Sequence, residues 1–288
     1  DVPLENAYMC GFYSEMVSFI RSFFESALKT NSSLEFAVIT GCLRISKESI
    51  FTGMNNLKII SILNEKYDEY FGFTHKEVQK ICEDYGMPQK YSIFKEWYNG
   101  YLFGNANVYN PWSVIQFMDD LWENPNRFPE TYWANTSSNS IVRKLIEMAD
   151  EDTKREIEDL IEDKTIEKPI HEDITYDEIY KSMDNLWNFM FFTGYFKKVG
   201  ERMGADDTRY LTLAIPNREV RYIFREKIMA WFERKMKERD LTRLHTAFVN
   251  KDTQTLEEEL TDILYETISS FDESENYYHG LVAGLLSG

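Results

Sequence analysis

The sequence is poor in the residues that build disulfide frameworks and metal centres. Its 288 residues include only three cysteines and four histidines. Cys10, Cys42 and Cys82 lack CxxC spacing, and the histidines form no ligand-spaced set, so we expect neither disulfides nor a Cys/His metal site. Cysteines set among apolar neighbours are typical of buried side chains in a reducing compartment, which favours a cytoplasmic location.

Long apolar runs and positive charge are also scarce. No segment approaches the roughly 20 consecutive apolar residues that a membrane-spanning helix needs, so we expect no membrane partner. Acidic side chains number 49 and basic ones 32, which gives a net charge of −17. Such a surface repels nucleic acid unless basic residues are concentrated locally.

Several catalytic motifs are missing. The sequence contains no GxxxxGK[ST] phosphate loop and no GxGxxG, GxSxG or HExxH pattern. The residues by themselves therefore indicate no self-contained catalytic centre. Hydrophobic residues make up 43% of the chain and aromatic residues 15%, which is enough to build packed cores in one large domain or in two to three small ones.

One stretch near the N-terminus has the pattern of a ligand site. The apolar residues Phe36–Ile39 predict a strand buried on both faces, which ends at Thr40-Gly41. Arg44 and Lys47 lie in the loop that follows, and the apolar run 57–63 predicts a second strand. A buried strand that delivers a hydroxyl and cations to its C-terminal end is typical of α/β ligand sites. A core strand followed by an ordinary surface loop fits the same pattern.

Local signals predict where two central helices begin. Thr74 and Glu77 have the spacing of a capping box, in which each side chain binds the backbone amide of the other residue. Asn110 followed by Pro111 has the pattern of an N-cap and a first helical residue. We expect residues 73–150 to form an all-helical module.

The next part of the chain predicts helices followed by a two-stranded wing. Residues 176–192 indicate a helix, and 195–199 and 210–215 indicate a β-hairpin. Asn217 is expected to cap a long helix at 218–237. This order of elements describes a winged helix.

Two observations bear on DNA binding by such a unit. The would-be recognition helix, Met183–Thr193, contains no Lys or Arg, although groove-reading helices normally bring several cations. Arg218, Arg221 and Arg225 share one face of the long helix and could contact phosphate, but ion pairs with the acidic surface are favoured. We therefore expect this unit to pack against protein.

Longer strings resemble a known family. These strings are DVPLENAY, FAVITGCLRISKESIFTGMNNLKIISIL, FGFTHKEV, EWYNGYLFG, VYNPWSV, YWANTSSNS and TLAIPNREVRYIF. They resemble AAA-ATPase-like proteins that carry a C-terminal PD-(D/E)XK nuclease domain. The resemblance implies a mixed, mainly α fold. Residues 1–72 would be the C-terminal half of a P-loop α/β ATPase core, 73–150 a helical lid, 151–238 a winged helix, and 239–288 a helical connector with the start of a nuclease-like domain.

The resemblance also implies roles for individual residues. Thr40 matches the polar residue that ends the sensor strand and is the candidate catalytic residue, facing the γ-phosphate or the attacking water. Arg44 and Lys47 would contact phosphate or a neighbouring subunit, and Asp1 would close the Walker B strand. Asn110 lies in the turn that packs over the nucleotide. No metal ligand is assigned within this chain.

The intact protein is accordingly expected to use ATP and Mg²⁺ and to drive a nuclease-like effector. We expect this chain to be a fragment that neither binds ATP tightly nor hydrolyses it, because it lacks the phosphate loop. Further expected partners are DNA, through a nuclease-like domain beyond Gly288, and other copies of the same protein. Two alternatives stay open: a non-catalytic protein-interaction module of vestigial ATPase ancestry, and direct DNA binding through the winged helix.

Overall fold

The computed structural model describes residues 2–29, 31–41, 57–133, 140–172, 174–176, 178–238 and 241–266. This part of the chain is mixed α/β and mainly helical, with two small antiparallel sheets. Its helices are α1 (Val2–Cys10), α2 (Tyr13–Leu28), α3 (His75–Asp84), α4 (Tyr91–Tyr98), α5 (Pro111–Glu123), α6 (Ser140–Met148), α7 (Glu151–Ile161), α8 (Met183–Phe192), α9 (Arg218–Glu238), α10 (Thr242–Asn250) and α11 (Thr253–Glu266). Its strands are β1 (Phe73–Thr74), β2 (Tyr101–Phe103), β3 (Ala106–Tyr109), β4 (Ile166–Pro169), β5 (Lys197–Met203) and β6 (Arg209–Ala214).

The two strands predicted near the N-terminus are not formed. Residues 34–41 have no strand partner among the described residues, and Phe36 and Val38 are 81% and 69% exposed. The prediction of a buried strand at Phe36–Ile39 was therefore wrong. Apolar side chains alone do not make a strand, because its backbone groups need neighbouring strands and its faces need covering layers.

The second predicted strand, at 57–63, ends in a turn instead. The side-chain oxygen of Asn64 accepts a hydrogen bond from the Ser61 backbone amide at 2.7 Å, and the Asn64 amide donates to the Ser61 carbonyl at 3.0 Å. This side-chain bond offers the backbone an alternative to strand pairing.

A first module surrounds a small hydrophobic cluster. Helices α3, α4 and α5 pack beside a sheet with the strand order β1-β3-β2. Its buried members, here called the smaller cluster, all come from positions 78–121: Val78, Cys82, Met87, Phe94, Tyr98, Tyr109, Val114, Phe117, Met118 and Leu121. The expectation that 73–150 is all helical was wrong, because β2 and β3 form a hairpin to which β1 adds antiparallel to β3.

The capping box at the start of α3 is present as predicted. The Thr74 hydroxyl accepts from the backbone amide of Glu77, and the Glu77 carboxylate accepts from the Thr74 amide at 2.7 Å. Each bond satisfies a backbone donor that has no partner within the helix.

Removing this cap should destabilise the first module measurably. We expect Thr74→Ala to lower the free energy of unfolding by about 1 kcal/mol, because the amide of Glu77 loses its acceptor. Gln79→Ala, an exposed change on the same helix, is the control and should lie within about 0.5 kcal/mol of wild type. Urea unfolding followed by circular dichroism compares the two, and equal stabilities would contradict the capping role.

A second module carries the larger sheet, whose strand order is β4-β6-β5. Strands β5 and β6 form the predicted hairpin, with a register shift between Lys198 and Gly200. The strand β4, which pairs antiparallel with β6, was not predicted. Helices α6 to α9 pack with this sheet around the larger cluster, which extends from Leu4 in α1 to Ile228 in α9.

The helix predicted at 176–192 is divided into two. A short 3₁₀ turn at Ile179–Lys181 precedes α8, and the Ser182 hydroxyl caps α8 by accepting from the Asn185 amide at 3.2 Å. Helix α9 begins as predicted, with the Asn217 side chain accepting from the Val220 amide at 3.0 Å.

Helix α8 and two arginines of α9 make contacts within this chain. Trp187 and Phe191 of α8 are almost completely buried. Arg218 forms an ion pair with Glu96 at 3.1 Å, and Arg221 pairs with Asp163. Both arginines are therefore engaged with the acidic surface, as the sequence predicted. Within the described residues, no helix combines the length and apolar character required to cross a bilayer.

Candidate functional site

A cavity of about 180 Å³ lies where the two modules meet. The small sheet, the start of α5 and the turn that leads from α8 into β5 form its walls. The lining residues are Ile62, Phe71, Tyr101, Leu102, Phe103, Val108, Tyr109, Asn110, Pro111, Trp133, Phe191, Phe192, Thr193, Gly194, Phe196 and Lys197. Most of these side chains are aromatic or aliphatic, so the few polar groups determine what the cavity can bind.

Asn110 lies in the cavity wall because it is the N-cap residue of α5. Its side-chain oxygen accepts from the Trp112 amide at 3.0 Å and from the Ser113 amide at 3.5 Å, and Pro111 occupies the first helical position. The Asn110 backbone amide donates to the Tyr98 carbonyl at 3.0 Å. The predicted N-cap is thus confirmed, and its contacts fix the start of α5 against the end of α4.

Gly100 and Tyr101 bring β2 against the second module. Gly100 has φ +110°, and a Cβ atom at this position would lie 2.0 Å from the Pro216 carbonyl oxygen. Tyr101 is 8% exposed, and its buried hydroxyl lies beside the side chains of Asn110 and Asn217 without forming a well-aligned hydrogen bond. Burial raises the pKa of the Tyr101 hydroxyl, so this group stays protonated and can donate.

Lys197 places a cation at the cavity. It is half-buried at the first position of β5, and within the described chain its ammonium group has only a 3.5 Å contact with the Pro216 carbonyl oxygen. Burial lowers the pKa of Lys197, because the charged form loses hydration that no carboxylate replaces. The adjacent Lys198 instead pairs with Glu201 at 3.5 Å.

Glu219 joins the two modules behind this cavity. Its side chain is completely buried and accepts from the Ser113 hydroxyl at 2.8 and 3.0 Å, and from the Trp133 amide at 2.8 Å. Burial raises the pKa of Glu219 to about 7, although these hydrogen bonds act in the opposite direction. Its charge in turn contributes to the raised pKa values of Tyr98 and Tyr101. We call Ser113, Trp133 and Glu219 the polar joint.

The structure describes two of the five predicted site residues, Thr40 and Asn110. Thr40 lies exposed in the 34–41 segment, and no hydrogen bond within the described residues connects it to Asn110. Asp1, Arg44 and Lys47 lie outside the described residues. Of the two described positions, Asn110 lines the cavity and Thr40 does not.

Sequence reasoning missed Tyr101, Lys197 and Glu219. The glycine and aromatic residues of the segment 98–104 are the sequence signal for Tyr101. Glu219 adjoins Arg218 in the sequence, but its partners lie 86 and 106 residues away. Such contacts depend on tertiary packing and leave no local pattern.

The described residues do not by themselves fit Mg·ATP. No group of three or more Asp, Glu, His or Cys side chains among them could hold a metal ion. The cavity is also smaller than the roughly 300–1,000 Å³ of pockets for ligands of drug size, so it could enclose only part of a nucleotide. A phosphate cradle of backbone amides and lysine would have to come from other residues.

Comparisons with known proteins point to an ATPase-like family at the N-terminus. Residues 1–51 match a family model described as "Predicted AAA-ATPase". An uncharacterized protein in the vnfD 5′ region of Azotobacter chroococcum mcd 1 is 25% identical over 127 residues, which are 44% of this chain and 23% of that relative. The match thus spans less than a quarter of the relative's length. No solved structure matches this chain. The chain is therefore similar to predicted AAA-ATPases over its first 51 residues.

Proposed function

We propose that this chain is part of an AAA-like ATPase, in which residues 1–72 belong to the nucleotide-binding core. The similarity of residues 1–51 to predicted AAA-ATPases carries the proposal. The chain has no phosphate loop, so we assign that element to upstream sequence of the intact protein. Thr40, Arg44 and Lys47 would then lie beside the nucleotide, with Asp1 at the end of the metal-binding strand.

In this proposal the rest of the chain changes its arrangement with the state of the bound nucleotide. The module at 73–150 is the lid, and Asn110 marks the turn that packs over the nucleotide. The elements α7, β4, α8 and the β5–β6 hairpin, with the strand order β4-β6-β5, support a winged-helix class for 151–238. The polar joint connects α5 of the lid to α9, so a shift of α5 would be transmitted to the winged helix.

We further propose that the intact protein uses this movement to control a PD-(D/E)XK nuclease-like effector. The resemblance of the sequence Tyr277-Tyr278-His279-Gly280 to the start of such a domain supports this part of the proposal. ATP and Mg²⁺ would be required by the intact protein, and nucleic acid would be contacted by the effector. The arginine pairs with Glu96 and Asp163 favour a protein-facing role for the winged helix itself.

ATP turnover by the protein extended upstream through its phosphate loop tests the role of Thr40. We expect Thr40→Ala and Arg44→Ala each to reduce kcat about tenfold or more, since both side chains would position reacting groups. Ser33→Ala removes another exposed hydroxyl from the same region and should retain wild-type turnover. Wild-type rates in both Thr40 and Arg44 variants would contradict the sensor assignment. Absence of turnover in the extended wild-type protein would contradict the ATPase proposal.

A further inference from the structure

The cavity between the modules combines an unneutralised cation with aromatic walls. Lys197 contributes the ammonium group, and no carboxylate lies within ion-pair distance of it in the described chain. Tyr101, Tyr109, Trp133 and Phe196 contribute ring surfaces. A half-buried cation without a counter-ion raises the free energy of the folded protein. A bound anion that carries an apolar group would offset this cost.

The size of the cavity limits the ligand to about one ring. A buried cavity of about 150 Å³ lined by apolar side chains is known to hold benzene. The present cavity, at about 180 Å³, offers room for one substituted benzene ring. The purine, ribose and phosphates of a nucleotide together exceed this volume, so the inference does not depend on the proposed ATPase role.

The ring of Tyr101 lies in the same wall, whereas its hydroxyl group is enclosed beside the side chains of Asn110 and Asn217. Lys197 and Tyr101 come from β5 and β2, so a ligand that contacts both would hold the two modules together.

We propose that this cavity binds a small molecule with a single aromatic ring and one anionic group, held by Lys197. The ring packs against Trp133 and Phe196. The anionic oxygen accepts a hydrogen bond from the Lys197 ammonium. The shared chemistry is that of an aryl carboxylate or an aryl phosphate.

Calorimetric titration of the 288-residue protein with benzoate and phenyl phosphate tests this proposal. At least one should bind in the millimolar range or tighter and change Trp133 fluorescence, and the stronger of the two identifies the anionic group. Benzyl alcohol, which has the ring without the charge, and acetate, which has the charge without the ring, should each bind about tenfold more weakly. No binding by either aryl anion, or equal binding by benzyl alcohol, would overturn the proposal.

One variant assigns the binding to this cavity. Lys197→Met should weaken binding of the aryl anion about tenfold or more, because the ammonium group that holds the anion is lost. The matched control Lys198→Met changes the neighbouring lysine on the opposite face of β5 and should bind as wild type does. Wild-type binding by Lys197→Met would place the ligand elsewhere and overturn the proposal. Equally tight binding of adenosine, with the same dependence on Lys197, would assign the cavity to the nucleotide site and also overturn it.

Discussion

Gly100→Ala is expected to lower the free energy of unfolding by about 3 to 5 kcal/mol. A φ of +110° is unfavourable for any residue with a Cβ atom, and that atom would lie 2.0 Å from the Pro216 carbonyl oxygen. The backbone of Pro216 cannot move freely, because Asn217 next to it caps α9. This loss is a large fraction of the roughly 5–15 kcal/mol that stabilises an ordinary domain.

Gly86→Ala separates the steric effect from the backbone effect. Gly86 also has a positive φ, of +71°, but nothing lies within 4 Å of a Cβ atom at this position. We expect this control to lose only about 1–2 kcal/mol, which is the cost of the left-handed conformation. Urea unfolding curves of the two variants provide the comparison. Equal losses would show that the contact between Gly100 and Pro216 is not tight.

Glu219→Gln is expected to remove a pH dependence of stability. In the unfolded chain this carboxyl group has an ordinary pKa, near 4.5, whereas burial raises the folded-state pKa to about 7. Between these values the folded state retains a proton that the unfolded state has released, so stability falls as pH rises from about 4.5 to about 7. The total loss from this one group is about 3 kcal/mol.

The Gln side chain keeps the polar joint without the charge. Its oxygen can accept from the Trp133 amide, and its NH₂ group can donate to the Ser113 hydroxyl. Relative to wild type, Glu219→Gln should therefore gain about 3 kcal/mol between pH 4.5 and pH 8. Urea unfolding at a series of pH values measures this gain.

Two further variants define what Glu219 contributes. Glu226→Gln removes an exposed carboxylate from the same helix and should keep the wild-type pH slope. Glu219→Ala leaves the Trp133 amide without its acceptor and should be less stable than Glu219→Gln at every pH. If the free energies of unfolding of wild type and Glu219→Gln changed with pH in the same way, the raised pKa of a buried Glu219 carboxyl group would be contradicted.

Helix starts could be predicted because their determinants are adjacent in sequence. The cap at Thr74, the Asn110-Pro111 start and the cap at Asn217 all depend on contacts between residues two or three positions apart. The β5–β6 hairpin also depends on neighbours, and it was predicted with approximate boundaries.

Elements that depend on distant partners could not be predicted in the same way. Strand β4 pairs with β6 across more than 40 residues, and its sequence, IEKP, contains a proline and alternates weakly. At Phe36–Ile39 a strand was predicted that the structure does not show. Its apolar sequence favours a strand, but that strand would need partners from outside the described residues. The polar joint depends on contacts between residues that are 86 and 106 positions apart, and no local sequence pattern predicts such contacts.

The separation of the hydrophobic interior into two clusters implies an order of folding. The smaller cluster draws its buried side chains from positions 78–121, so the loops that it must close are short. The larger cluster includes both Leu4 and Ile228 and cannot be completed until most of the chain has left the ribosome. The first module is therefore expected to fold during synthesis, and to serve as a preformed surface on which α9 later docks.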